Sequence, residues 1–213
     1  MTDYSSITKL DLSNKELIEL PDLSQYTNLK ELKCYYNNLS SLDNLPLTLE
    51  ILDCSYNKLT NLDNLPSKLT ILNCFSNYLT SLDNFPLSLT ELYFTDNQIT
   101  SLDNLPQTLT KLSCCNNKIT NLNNLPLSLT LLSCSDNQLT ILDNLPLTLT
   151  ELYCTNNQIT SLDNLPPSLI WLNCRYNKLT KLDKLPLSLT ELYCDNNELT
   201  SLDNLPLGLS TLS

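Results

Sequence analysis

Two files of chemically capable side chains run through this 213-residue sequence at a fixed interval of twenty. One holds Cys34, Cys54, Cys74, Cys114, Cys134, Cys154, Cys174 and Cys194; the other holds Asp43, Asp63, Asp83, Asp103, Asp143, Asp163, Asp183 and Asp203. Thiolates are nucleophiles and zinc ligands, and carboxylates repeated at coil spacing can hold calcium between them. Each file is broken once in register, by Phe94 and by Asn123. A ninth cysteine, Cys115, stands outside its file.

For the cysteines the leading reading is packing. Phe94 and Leu12 take the same column, so any apolar group serves there, and buried free cysteine behaves as a small hydrophobe. Neighbouring strands lie about 4.8 Å apart, longer than the roughly 3.8 Å Cβ separation a disulfide prefers. The spacing matches no CxxC metal pair, which leaves zinc or redox chemistry as the minor alternative. Unpaired thiols point to a reducing compartment, hence a cytosolic protein, or one acting in a host cytosol. Cys115 falls in an outward column and is the expected reactive thiol.

For the aspartates, the leading reading is that each caps an Asp-Asn-Leu-Pro turn by accepting backbone donors. Calcium held by Asp43, Asp63, Asp83, Asp103, Asp143, Asp163, Asp183 and Asp203 is the minor alternative, because calcium-binding repeats usually bring glycine-rich turns. This chain has one glycine, Gly208, which also excludes a phosphate-cradling loop. It has no histidine, so no imidazole can activate its serines and cysteines. No enzymatic activity and no cofactor are expected. Twelve Lys+Arg against 23 Asp+Glu give a formal charge of −11, which disfavours nucleic acid and anionic membranes as partners. The N-terminal residues lack a basic start and apolar stretch, so no secretory leader is expected.

The elements that must position these files form a repeat. Pro46 to Pro206 and Asn37 to Asn197 recur every twenty residues without a slip. One unit reads Leu49-x-x-Leu52-x-Cys54-x-x-Asn57-x-Leu59, then Thr60-Asn61-Leu62-Asp63-Asn64-Leu65-Pro66. Leu52 and Cys54 alternate with variable neighbours, the period of a strand with one buried face. Each coil supplies one short parallel strand, and coils must stack to bury Leu49, Leu52, Cys54, Leu59, Leu62 and Leu65. The Pro-bound arm is too short for a helix and should be extended, polyproline-like or turned. Asn57 should satisfy backbone groups inside the turn and serve as scaffold.

These residues resemble the leucine-rich repeat family in its shortest class. The pattern Leu45-Pro46-x-x-Leu49-x-x-Leu52-x-Cys54-x-x-Asn57-x-Leu59 is similar to repeats of bacterial type III secretion effectors and of proteins from large amoeba-infecting viruses. Cysteine stands at the usual valine position, and Leu62-Asp63 replaces a second Leu-Pro. The resemblance implies a solenoid with a curved parallel sheet on its inner face, little helix, and a binding role. Some effectors of that class add a ubiquitin-ligase domain with a catalytic cysteine; no residue here matches one. Three segments are expected. An N-terminal segment with an atypical repeat spans 1–28, with Lys15 at the asparagine position, and nine repeats span 29–208. A truncated repeat at 209–213 shows no polar cap.

Individuality lies in the columns that project from the strands and the turn beyond them. Eight of ten tyrosines, the one tryptophan and the one arginine fall there. Tyr35, Tyr36, Tyr56, Phe75, Tyr78 and Tyr93 make an early patch; Tyr153, Trp171, Arg175, Tyr176 and Tyr193 make a late one. Tyr, Trp and Arg dominate binding hot spots. The expected function is recognition of a protein or peptide on this face. Cross-strand packing with no partner is the alternative account of the aromatics. End-to-end self-association through the uncapped coil, or stacking on carbohydrate rings, are the alternative functions.

Overall fold

Strand character in each coil is confined to three residues at most, because one inward leucine sits between two outward positions before the chain must turn. In the computed structural model, which describes residues 4–213, these become β1 (Lys9–Asp11), β2 (Glu31–Lys33), β3 (Ile51–Asp53), β4 (Ile71–Asn73), β5 (Glu91–Tyr93), β6 (Lys111–Ser113), β7 (Leu131–Ser133), β8 (Glu151–Tyr153), β9 (Trp171–Asn173), β10 (Glu191–Tyr193) and β11 (Thr211–Leu212). They pair in chain order as one eleven-stranded parallel sheet. Register advances by one coil per strand, so Leu32 sits beside Leu52 and Leu172 beside Leu192. The one helical element among the described residues is a 3-10 turn at Tyr4–Ser6. Residues 1–3, which begin the expected N-terminal segment and the stretch expected to lack a leader, lie outside the described residues. No helix among the described residues is long and apolar enough to cross a membrane.

The interior is a single apolar cluster running from Leu23 to Cys194. Leu49, Leu52, Cys54 and Leu59 have no accessible surface, and Leu62 has almost none. Burying each such leucine contributes about 1.5–3 kcal/mol, but only once a neighbouring coil covers it. The Leu65 column is less uniform than expected, since Leu65, Phe85, Leu165 and Leu205 are half-buried. Pro66 of the same arm is buried. Each arm closes in a turn, with the Leu49 amide donating to Pro46 O at 3.1 Å and Leu69 to Pro66 O at 3.1 Å.

The asparagine file is a bridge between coils. Asn57 Oδ1 accepts the Leu39 amide of the coil before it at 3.0 Å. Its Nδ2 donates to Cys34 O of that coil and to Cys54 O of its own, both at 3.0 Å. One buried amide therefore satisfies backbone groups on two coils. In the first coil the corresponding position holds Lys15. Asn37 serves the loop of the first coil by accepting the amides of Lys15 and Leu17 at 3.0 Å.

The turn reading of the aspartates is corrected. None of the eight carboxylates accepts a backbone N–H among the described residues. In some coils the side chain two positions earlier closes the turn: Asn61 Oδ1 accepts the Asp63 amide at 3.4 Å, and Ser101 Oγ accepts that of Asp103 at 3.2 Å. The following asparagine absorbs the left-handed bend, at φ 61° for Asn64 and 67° for Asn104, where asparagine is tolerated. It also reaches back one coil: Asn124 Nδ2 donates to Asp103 Oδ1 at 2.8 Å, and Asn164 to Asp143 at 2.7 Å. Asn123 accepts from Asn144 at 3.3 Å, so this second bridge works without the charge.

Candidate functional site

The strand face presents two outward columns per coil, at the first and third strand positions, and all of Glu151, Tyr153, Trp171, Glu191 and Tyr193 are half-buried on it. Register sets Glu151, Trp171 and Glu191 side by side in one column and Tyr153, Asn173 and Tyr193 in the other. Trp171 therefore meets the two tyrosines on the diagonals. Its ring centroid lies 4.0 Å from that of Tyr153 and 5.3 Å from that of Tyr193. Diagonal neighbours on a sheet are within reach only for side chains of this size. Arg175 closes the far side, with its guanidinium 4.8 Å above the Tyr193 ring. It is held there by an ion pair with Asp195 and by a 2.7 Å hydrogen bond to Ser213 Oγ. Four of the five late-patch residues thus form one contiguous cluster, and Tyr176, 55 % exposed, stands beside it without a ring contact.

The early patch divides. Tyr36 stacks on Tyr56 at 4.1 Å, Tyr35 meets Tyr36 edge-on at 5.8 Å, and Phe75 meets Tyr56 edge-on at 4.9 Å. Hydrogen bonding to Tyr36 pushes the Tyr56 phenol above its usual range. These four rings sit beyond the strand ends, on the turn. Tyr93 and Tyr78 make no ring contact with them. Tyr93 lies on β5 and donates its hydroxyl to Glu91 at 2.5 Å, while Tyr78 borders an open depression of about 240 Å³ with Ser76, Asp96 and Gln98. Desolvation first, then Glu91, raises the Tyr93 phenol well above its ordinary value.

The two chemical files of the sequence do not assemble into centres. All nine cysteines are free, and the eight in the file are buried. Burial pushes every one of those eight thiols upward, Cys34 to about 12, so the neutral thiol is the packed form. Several donate to the next coil's backbone, as Cys54 does to Asn73 O at 3.4 Å and Cys174 to Tyr193 O at 3.4 Å. Cys115 is half-buried on the outward column, with Sγ 2.9 Å from Ser133 Oγ. Among the described residues no three Cys, Asp or Glu side chains come together as a metal cluster. Asp83, Asp103 and Asp143 are instead engaged by the asparagine of the following coil.

Two features escaped the column reading. The strand sequence Glu-Leu-Tyr occurs at Glu91–Tyr93, Glu151–Tyr153 and Glu191–Tyr193, and each tyrosine hydroxyl donates to the glutamate of its own strand. Two residues apart on one strand means one face, so this pairing was readable from period two alone. The second is a file of exposed leucines at the tips of the outer turns: Leu47, Leu87, Leu127, Leu147, Leu187 and Leu207 are each at least 74 % exposed. Hydrophobic periodicity marks such positions as interior; only the turn geometry turns them out.

No family model and no curated protein matches the sequence. Solved structures do. YopM from Yersinia enterocolitica WA-314 superposes with a TM-score of 0.88 at 39 % identity, over 95 % of this chain and 45 % of that one. The functional domain of InlJ from Listeria monocytogenes, which includes a cysteine ladder, gives 0.84 at 41 % identity over 98 % and 49 %. YopM from Yersinia pestis, a leucine-rich effector protein, gives 0.81 at 34 % identity over 92 % and 63 %. The chain spans less than two thirds of each of these structures. Its parallel strands on twenty-residue coils, with leucine, cysteine and asparagine in fixed inward files, make the chain a leucine-rich repeat protein.

Proposed function

We propose that the chain is a non-catalytic scaffold that recognises a protein or peptide on its strand face, with Tyr153, Trp171 and Tyr193 at the centre of the contact. The observation that carries this reading is the contiguity of those rings on an open sheet face. Nothing in the repeat requires aromatic side chains there, since the same positions hold Ser133 and Lys111 elsewhere. Large rigid side chains with polar handles on an open face are the composition of binding hot spots. The similar repeat proteins support a binding rather than a catalytic role, and a chain without histidine lacks the commonest general base. The free thiols of the interior support a reducing compartment such as the cytosol.

Peptide-display selection against the intact chain tests this reading, with Tyr153→Ala/Trp171→Ala as the comparison. A selected ligand is expected to bind the variant at least about tenfold more weakly, a loss of about 1.4 kcal/mol. The melting temperature should stay within a few degrees. Ligands held equally by both proteins refute it.

A further inference from the structure

The strand-face glutamates of the early and middle coils are neutralised from within the chain. Glu31 is paired with Lys9 at 2.7 Å and with Lys33 at 3.6 Å. Glu91 is paired with Lys111 of the neighbouring strand at 2.9 Å. The cation in these pairs comes from an adjacent coil or from the same strand. At β8 to β10 the arrangement changes. Glu151 and Glu191 flank Trp171 in the same column, and the residue between them carries no charge. Among the described residues, the side-chain partner of Glu151 is the Tyr153 hydroxyl at 3.4 Å, and that of Glu191 is the Tyr193 hydroxyl at 3.2 Å. Among the described residues neither forms an ion pair with a lysine or arginine. The other flanking residues of the column are Leu131 and Thr211.

The aromatic side chains between those carboxylates are of the kind that attract cations through their faces. One such contact already exists in the chain, where the Arg175 guanidinium lies 4.8 Å over Tyr193. Arg175 is committed to Asp195 and Ser213, at the rim of the cluster, and leaves Glu151, Glu191 and the indole unmatched. We propose that the Tyr153–Trp171–Tyr193 platform receives a lysine or arginine side chain from a basic protein segment, with Glu151 and Glu191 on either side of it. The incoming ammonium or guanidinium takes the place that Lys111 fills beside Glu91. This assignment rests on the scaffold reading above and adds to it the charge of the partner. The formal charge of −11 steers such a segment to the protein; the platform decides where it seats.

Trp171 is the one tryptophan of the chain, so its emission reports on this platform alone. The probe is an acetylated, amidated tetralysine peptide, titrated into the intact chain at low ionic strength. A saturable change in Trp171 emission is expected. Glu151→Gln/Glu191→Gln should weaken it at least about tenfold, and Asp143→Asn/Asp163→Asn, which removes the same charge from the outer turns, should leave it within twofold. An unchanged emission into the millimolar range overturns the assignment, and so does equal weakening in both double variants, which means diffuse attraction. The two readings fail separately. A display-selected ligand that needs Tyr153 and Trp171 but tolerates Glu151→Gln/Glu191→Gln keeps the scaffold and removes the cation. Selection that yields no ligand removes the scaffold, and the tetralysine titration still decides the platform.

Discussion

Tyr36 and Tyr56 stack face to face, 4.1 Å between centroids and 12° between planes, although both sit in the left-handed region at φ 53° and 52°. The same turn position holds Asn116, Asn156 and Asn196 in other coils, also at positive φ. Asparagine relieves that conformation through its short polar side chain; tyrosine has no such relief. Tyrosines therefore occupy a position where stability alone favours asparagine, and such strain gathers at functional sites.

Tyr176 isolates this cost. It has φ 52°, is exposed, and stacks on no other ring among the described residues. Tyr176→Asn is expected to stabilise the chain by about 0.5–1 kcal/mol, read as a rise in the urea midpoint. Tyr56→Asn should gain less or lose, because the contacts with Tyr36 and Phe75 go with it.

The asparagine bridge should be costly to remove in mid-stack. Asn117 Nδ2 serves Phe94 O at 3.2 Å, Cys114 O at 3.2 Å and Cys115 O at 2.9 Å, while Oδ1 accepts the Ile99 amide at 2.9 Å. Asn117→Ala leaves these buried groups unpaired on two coils and is expected to destabilise by about 2–4 kcal/mol. Denaturant melts of the variant against the parent measure it.

Alkaline pH should unfold the protein cooperatively. The eight interior thiols have raised folded values, Cys34 about 12, against an ordinary value of 9.0. A raised folded value means the unfolded chain loses protons first as pH rises. The stability is thus complete below 9 and falls above it, by about 1.4 kcal/mol per thiol for each pH unit. Circular dichroism from pH 8 to 11 should show the loss, and Cys114→Val/Cys134→Val should soften its slope. A flat profile to pH 11 contradicts the buried neutral thiols.

Thiol reactivity should separate one cysteine from eight. Cys115 is half-buried and outward, whereas the file from Cys34 to Cys194 is buried and held neutral. Titration with a thiol reagent at pH 7.5 is expected to give one fast equivalent in the folded chain and nine after denaturation. Cys115→Ser should abolish the fast phase. Several fast equivalents would mean that the inner file is open.

The stacking of coils, the buried files of leucine and cysteine, and the low helix content were legible because a twenty-residue period repeats the same burial demand at each turn. Leu52 and Cys54 have no accessible surface for the reason their alternation implies. The aspartates were less legible. Carboxylate beside asparagine looks like a turn cap in one dimension, but in space Asp103 faces Asn124 of the next coil. The contacts within the early aromatic patch were equally hard to read. Tyr93 follows Phe75 closely enough in the coil order to suggest one cluster, yet Tyr93 bonds Glu91 of its own strand while Phe75 meets Tyr56 on the turn.

Period and residue type by themselves determined that this chain is a solenoid, which side chains it buries, and which columns vary. Those properties depend on a local demand that every coil repeats. The partners of each outward side chain were decided by the tertiary structure. Inter-strand register sets Trp171 between Glu151 and Glu191 and on the diagonals of two tyrosines, and no spacing along the chain encodes how diagonal rings meet.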